Sequence, residues 1–433
     1  MPQPLAPRPQ SVSTSGGAGG GTLAVLLAGG KGSRLHELTA SECKPALFFA
    51  GNRRIVDFAL ANALRSGLHE MIACTQYRPE TLTRHLQGPW GAAFGAAGGR
   101  LDIAHGPEVA GHSEGYLGTA DAVMRNIPAI DARAPRHVVV MAADHVCQID
   151  FRPMIETHVA SGAEATVAAH VVPRSSGSEF GILGADARGR ATGFVEKPSD
   201  PPGMPEDPAY ALASMGIYVF NWPWLRARLL ADAADAGSGH DFGHDILPAA
   251  VREGVVGLWR LAAQGADAAG GTDAAQGAGC ARPYWRDVGT LDSYRVTQLD
   301  FTCAALPCAM PESVLPQAGA ALAPSAGPRP RGGLRPGAAW PGPWPDESVI
   351  LPGGSVASGA RVTRAIVAPG AHVPSGLVIG EDAQEDARWF RRSAGGTVLV
   401  TRAMLARREA QAARPVPVRL PAALLRPRSV GAV

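Results

Sequence analysis

The segment TLAVLLAGGKGSRLHELTASECK, residues 22–44, decides the fold. An apolar run of strand length ends in Gly29 and Gly30 and is followed by Lys31, Gly32, Ser33, Arg34 and then Lys44. Glycines at such a turn let backbone N–H groups come close to a polyphosphate, and Arg34 and Lys44 add the positive charge that a departing pyrophosphate needs. The pattern is neither GxxxxGK[ST] nor a clean GxGxxG, so it is not a Walker loop or a dinucleotide fingerprint. Taken alone, a strand ending in two glycines also fits simple tight packing in an α/β protein.

Working outward, apolar strand-like runs alternate with helix-patterned segments from Thr22 to about Phe301: LAVLLA, IVDFALANALRSG, MIACT, VVVMA, ATVAAHVV and MGIYVF. That alternation predicts an α/β fold with a doubly wound, mostly parallel sheet. Ligands in such folds sit beyond the carboxyl ends of the strands. VVVMAADH (138–145) delivers Asp144 and His145 at one such end, and YWRDVGT (284–290) delivers Asp287 after another. Two aspartates from distant parts of the chain suit a divalent metal bridging phosphates, while each alone also fits a helix cap.

The 433 residues, 46% of them hydrophobic, supply two or three domains with a large core. Forty basic against 38 acidic residues leave a formal charge of +2, which gives no footprint for nucleic acid. Cysteines 43, 74, 147, 280, 303 and 308 form no CxxC pair and have no histidine at ligand spacing, so a reduced, cytoplasmic chain is expected. Neither a signal peptide nor an apolar run of ~18 residues is present, so no membrane partner is expected.

The expected organisation is a disordered segment over 1–21, a catalytic domain over 22–303 and a Pro/Gly-rich linker over 304–347. A short repeat domain over 348–410 and a disordered tail over 411–433 follow. Residues 262–281 are low-complexity and read as a surface loop. In the repeat domain Ile350, Val356 and Val362 recur every six residues, and Val367, Val373 and Ile379 do so again after a one-residue slip. Hexapeptide periodicity marks a parallel β-helix, here about two coils long.

The chain resembles bacterial glucose-1-phosphate adenylyltransferases (ADP-glucose pyrophosphorylases). The resemblance rests on AGGKGSRL (28–35), KPA (44–46), RIVDFALAN (54–62), TQY (75–77), GTADAV (118–123), ADH (143–145), FVEKP (194–198), SMGIYVF (214–220), HDFGHDILP (240–248) and YWRDVGT (284–290). It resumes at VIGEDAQEDARWF (378–390) and VLVTRAML (398–405). It implies a nucleotide-diphospho-sugar transferase domain followed by a small left-handed β-helix, assembled as a homotetramer. The implied reaction is ATP plus α-D-glucose 1-phosphate giving ADP-glucose and pyrophosphate with Mg²⁺, for glycogen or another α-glucan.

By the same resemblance Arg34, Lys44 and Asp144 are catalytic, and Asp144 and Asp287 hold the metal. Gly29, Gly30, Lys31, Gln76, Tyr116, Gly118, Thr119 and Asp121 belong to the ATP site. Tyr116, Gly181, Glu196, Lys197, Ser214, Tyr218 and Asp241 belong to the glucose 1-phosphate site. For Ser214 and Tyr218, packing within the strand is the competing reading. A pyrophosphorylase for another nucleotide or sugar phosphate, or a catalytically weak regulatory subunit, are the rival functions.

Several positions depart from the family pattern. Ala143 replaces a glycine before the metal-binding aspartate, which would strain the backbone if φ were positive there. Cys147 stands for an aromatic residue, His244 for a lysine and Gly115 for a tryptophan. Family members commonly respond to anionic sugar phosphates. Ser41, Glu42 and Pro369 replace basic residues used for that purpose, so a weak response is expected, although Arg53, Arg54 and Arg364 could supply another anion site.

Overall fold

The computed structural model describes residues 21–261, 283–302, 306–315 and 346–412. Nine strands among them form one sheet: β1 (Thr22–Ala28), β2 (Glu70–Thr75), β3 (Arg100–His105), β4 (His137–Ala142), β5 (Ala165–Pro173), β6 (Gly181–Ala185), β7 (Ala191–Glu196), β8 (Tyr210–Asn221) and β9 (Val256–Arg260). The order is β7-β6-β8-β4-β1-β2-β3, with β5 beside β8 and β9 beside β5. Around β1 the sheet is parallel, as the strand–helix alternation predicts: β1 pairs with β2 and β4, and β2 with β3. It turns antiparallel at β8, which pairs with β4, β5 and β6. β6 and β7 also pair antiparallel, joined by a tight turn that leaves no room for a crossover helix.

Alternation along β1 divides the core. Leu23 and Val25 join Val138 and Val140 on one face, while Ala24, Leu26 and Ala28 join Val139 and Met141 on the other. Helix α1 (Val56–Arg65) covers the second face and helix α2 (Thr119–Met124) the first. With both faces covered, the polar ligands of this sheet must gather at strand ends. From β1 the chain steps to β2 on one side and, later, to β4 on the other, so a crevice opens beyond the ends of β1 and β4.

The hexads form stacked coils. Val349 pairs in parallel with Ile366, Ser355 with His372 and Arg361 with Val378, and Val398–Val400 adds a further rung on Ala365–Val367. The one-residue slip in the hexad pattern falls at a corner where Arg364 takes φ 49°. A third core cluster joins this unit to the catalytic domain through Leu35, Phe49, Phe58, Tyr294, Val349, Ile366 and Leu399, with helix α3 (Leu291–Asp300) at the seam.

The start of the expected linker is packed. Residues 306–315 lie along α1: Glu312 pairs with the buried Arg53, and Arg65 donates to Met310 O and Ser313 Oγ. Expectations for residues 1–20, 262–281, 316–345 and 413–433 lie outside the described residues. No helix among the described residues is long and apolar enough to cross a membrane.

Candidate active site

A cleft of about 460 Å³ occupies the crevice beyond β1 and β4. At its floor lies Lys44, 4% exposed, in a short turn that follows the glycine loop. Its Nζ donates to Asp144 Oδ2 at 3.0 Å and to Asp287 Oδ1 at 2.8 Å. Burial alone would lower the Lys44 pKa, but the two carboxylates outweigh it and hold the ammonium above its ordinary value. For Asp144 and Asp287, burial is likewise opposed and outweighed, here by Lys44 and His145, so both carboxyls lie below their usual range. All three groups are therefore charged at neutral pH.

Neither aspartate caps a helix. Asp144 leads into the strand His145–Cys147, Asp287 ends the strand Trp285–Asp287 that pairs with it, and the cap of α3 is Thr290 with Ser293 in a capping box. Ligand atoms of Asp144, His145 and Asp287 all lie within 4.8 Å of one another. Asp144 lines the cleft and Asp287 stands against Lys44 at its floor, and two hard carboxylates so close together fit a small divalent cation. Ala143 is absent from the positive-φ residues, so its methyl costs no backbone strain there.

Gly32 is the glycine that the loop requires. Its φ is +66°, and a Cβ there would stand 2.8 Å from Lys44 Cβ. Gly29 and Gly30 line the cleft, and a Cβ at Gly30 would meet nothing within 4 Å. Arg34 stands at the rim, half-exposed, with Asp287 Oδ2 at 3.4 Å and Glu179 Oε2 at 3.3 Å. Lys31 is exposed, 5.8 Å over the Tyr77 ring, and does not line the cleft.

On the nucleotide side, Gln76 clasps the backbone of the next loop. Its Oε1 accepts from Tyr116 N at 2.6 Å, and its Nε2 donates to Tyr116 O at 3.0 Å. The Tyr116 ring lines the cleft while its hydroxyl donates to Ala104 O and accepts from Asn126. Gly118 lies so close to the 239–241 loop that a Cβ would stand 2.2 Å from His240 O. Thr119 Oγ1 donates to Asp241 Oδ2 at 2.9 Å, which ties the nucleotide side to the other half of the cleft. Asp121 is a correction to the sequence reading: it turns away from the cleft. Its carboxylate accepts from Leu117 N and pairs with Arg125, because a buried charge needs partners and these are the nearest.

On the opposite side, Glu196, Lys197, Tyr218 and Asp241 line the cleft. Gly181 lies behind them; a Cβ there would stand 2.5 Å from the Phe194 ring and 2.8 Å from Glu196 Oε2, so its part is to leave room for both side chains. Lys197 has φ 45° and reaches Glu196 Oε1 at 2.5 Å. Asp241 accepts from the N–H groups of Gly243 and His244. Ser214 is buried and is not among the residues that line the cleft; β8 shifts register against β5 between Ser214 and Tyr218. The same bulge brings Gly216, at φ +67°, to the cleft wall. The sequence reading gave no role to Gly32, Gly216, Phe242 and Gly243, although each stands inside or beside a motif it quoted.

Comparison with known families matches residues 23–302 to the nucleotidyl transferase family and residues 345–400 to a GlmU-like C-terminal hexapeptide family. The chain is 40% identical over 412 residues to a glucose-1-phosphate adenylyltransferase of Cereibacter sphaeroides, covering 88% of this chain and 95% of that protein. It is 40% identical over 419 residues to the Jannaschia enzyme of the same name, covering 89% and 97%. The Yersinia pseudotuberculosis enzyme is 39% identical over 418 residues, covering 90% and 96%. An α/β nucleotidyltransferase domain with its cleft at the β1/β4 switch point and a hexapeptide β-helix behind it thus agrees with the extent of these matches, and the chain belongs to the glucose-1-phosphate adenylyltransferase family.

Proposed function

We propose that the protein joins ATP and α-D-glucose 1-phosphate to give ADP-glucose and pyrophosphate, supplying an α-glucan such as glycogen. The observation that carries this reading is the ammonium of Lys44 held between Asp144 and Asp287 in a cleft whose far wall bears Glu196, Lys197 and Asp241. A phosphate oxygen of the sugar phosphate attacks the α-phosphorus of ATP in line, forming the new P–O bond as the bond to pyrophosphate breaks. The phosphate is already a competent nucleophile, so no general base is needed and catalysis is positioning plus charge neutralisation.

Asp144 and Asp287 would hold Mg²⁺, and that ion supplies charge neutralisation to the nucleotide phosphates when bound. Lys44 retains its charge in the buried floor and stabilises negative charge at the transferring phosphorus. Arg34, at the rim, meets the departing pyrophosphate. Gly29 and Gly30 admit the phosphates, Lys31 adds charge outside the cleft, and Gln76, Tyr116, Gly118 and Thr119 shape the pocket for the base and ribose. Lys197, the exposed member of its pair with the largely buried Glu196, anchors the sugar phosphate. Glu196 and Asp241 accept sugar hydroxyls. Family resemblance extends the proposal to a homotetramer in the cytoplasm.

The test is an assay of the purified protein with four nucleoside triphosphates against a panel of sugar 1-phosphates. ATP with glucose 1-phosphate is expected to give the highest kcat/KM, with ADP-glucose and pyrophosphate formed in equal amounts. A kcat/KM for UTP or dTTP at or above that for ATP overturns it.

A further inference from the structure

The β-helix touches the catalytic domain through a turn, residues 391–397, that grips two separate segments. On one side Arg391 makes a two-pronged contact with Glu37: Nη2 to Oε1 at 2.7 Å and Nε to Oε2 at 3.3 Å. On the other side Asp292 accepts from Ser393 Oγ at 2.7 Å, Thr397 Oγ1 at 2.6 Å and Gly395 N at 3.2 Å. The approach is close enough that a Cβ on Gly395 would stand 2.6 Å from the Asp292 carboxyl carbon. Arg295, 4% exposed, donates to the same Thr397 at 2.9 Å, so the second grip is doubled from the next turn of α3.

The two gripped segments are those that carry Arg34 and Asp287. Glu37 and Arg34 lie on two short helical turns within Ser33–Thr39, joined across a kink at His36, and Asp292 lies in the first turn of α3 directly after the loop that leaves Asp287. Between Arg34 and Glu37 stands His36 at φ 51°, ψ −124°, a conformation that a non-glycine residue keeps only when its surroundings hold it. Arg34 Nη2 and Asp287 Oδ2 are 3.4 Å apart, a contact between segments that share no strand pairing.

We infer that the 391–397 turn is a positioning element for the reaction: Arg391, through Glu37, and Ser393 with Thr397, through Asp292, fix the spacing of Arg34 and Asp287 where the nucleotide phosphates bind. None of these turn residues lines the cleft, and each acts through Glu37 or Asp292, so they are positioning residues. The inference rests on the proposed reaction for its kinetic readout. The two remain separable because the unaltered enzyme is assayed beside every variant and nucleotide binding is measured directly.

Arg391→Ala and Glu37→Arg are each expected to raise the KM for ATP and weaken calorimetric binding of Mn²⁺·ATP by about tenfold, because small misplacements at such sites carry large costs. The KM for glucose 1-phosphate, whose residues lie on the opposite wall, should stay within about twofold, since binding lost on one wall alone appears in that substrate's KM. The charge-exchanged protein Glu37→Arg/Arg391→Glu should recover most of the loss, which a change in overall stability would not produce. Unchanged Mn²⁺·ATP affinity in the single variants, equal effects on both substrates, or no recovery in the exchanged pair overturns the inference. Inactivity of the unaltered enzyme with ATP would count against the proposed reaction instead, while the binding comparison would still decide this one.

Discussion

Replacing Lys44 by methionine removes the ammonium and keeps most of the side-chain volume. In the folded chain it leaves Asp144 and Asp287 facing each other without the cation that both contact at 3.0 Å or less. Removing one partner of a buried ion pair typically costs ~3–5 kcal/mol. Asp144 is 37% exposed, so solvent screens part of the loss and about 2–4 kcal/mol is the expected cost. At roughly 2–3 °C per kcal/mol for a domain of this size, the metal-free variant should melt about 5–10 °C below the unaltered protein. A divalent ion can then take the place of the missing charge. Saturating Mg²⁺ or Mn²⁺ should raise the melting temperature of Lys44→Met by more than it raises that of the unaltered protein, through preferential binding to the native state. Activity should stay low even then, by about 10²–10³ in kcat, because the metal replaces the charge but not the donor at the transferring phosphorus. The measurements are differential scanning fluorimetry with and without metal and initial rates at saturating substrate. Equal melting temperatures without metal, together with equal metal-induced shifts, would show that the ammonium does not hold these carboxylates.

Two further outcomes are expected. Lys197→Gln should raise the KM for glucose 1-phosphate by about tenfold and leave that for ATP nearly unchanged, as the loss of one charged contact to a bound phosphate does; equal effects on both substrates would place Lys197 elsewhere. Fructose 1,6-bisphosphate titrated at subsaturating ATP should activate less than about twofold. Arg54 already faces Glu42 at 3.4 Å, Ser41 is neutral and Pro369 offers no donor, so strong activation by the bisphosphate would refute this reading.

Much of the fold was legible in the chain because it is written in local periodicity. Apolar runs of strand length, a glycine turn after the first of them and hexads with one apolar residue each report which faces are buried, and burial of those faces is what holds the sheet and the coils together. Lys44, after the glycine turn, and Asp144 and Asp287, at the ends of apolar runs, were legible in the same pattern, while Glu196 and Asp241 were assigned through the family resemblance. Periodicity does not carry the pairing between distant segments. That Lys44 meets Asp144 and Asp287, 100 and 243 residues away, follows from β1 lying beside β4 and from a strand pair that delivers Asp287 to the same crevice. That Asp121 serves Leu117 and Arg125, that a bulge brings Gly216 to the cleft wall, and that Arg391 reaches back to Glu37 were decided only when the packed chain gave each polar group its partners. A buried charge takes whichever partner the packing brings within reach, and that choice belongs to the tertiary structure rather than to the spacing of residues along the chain.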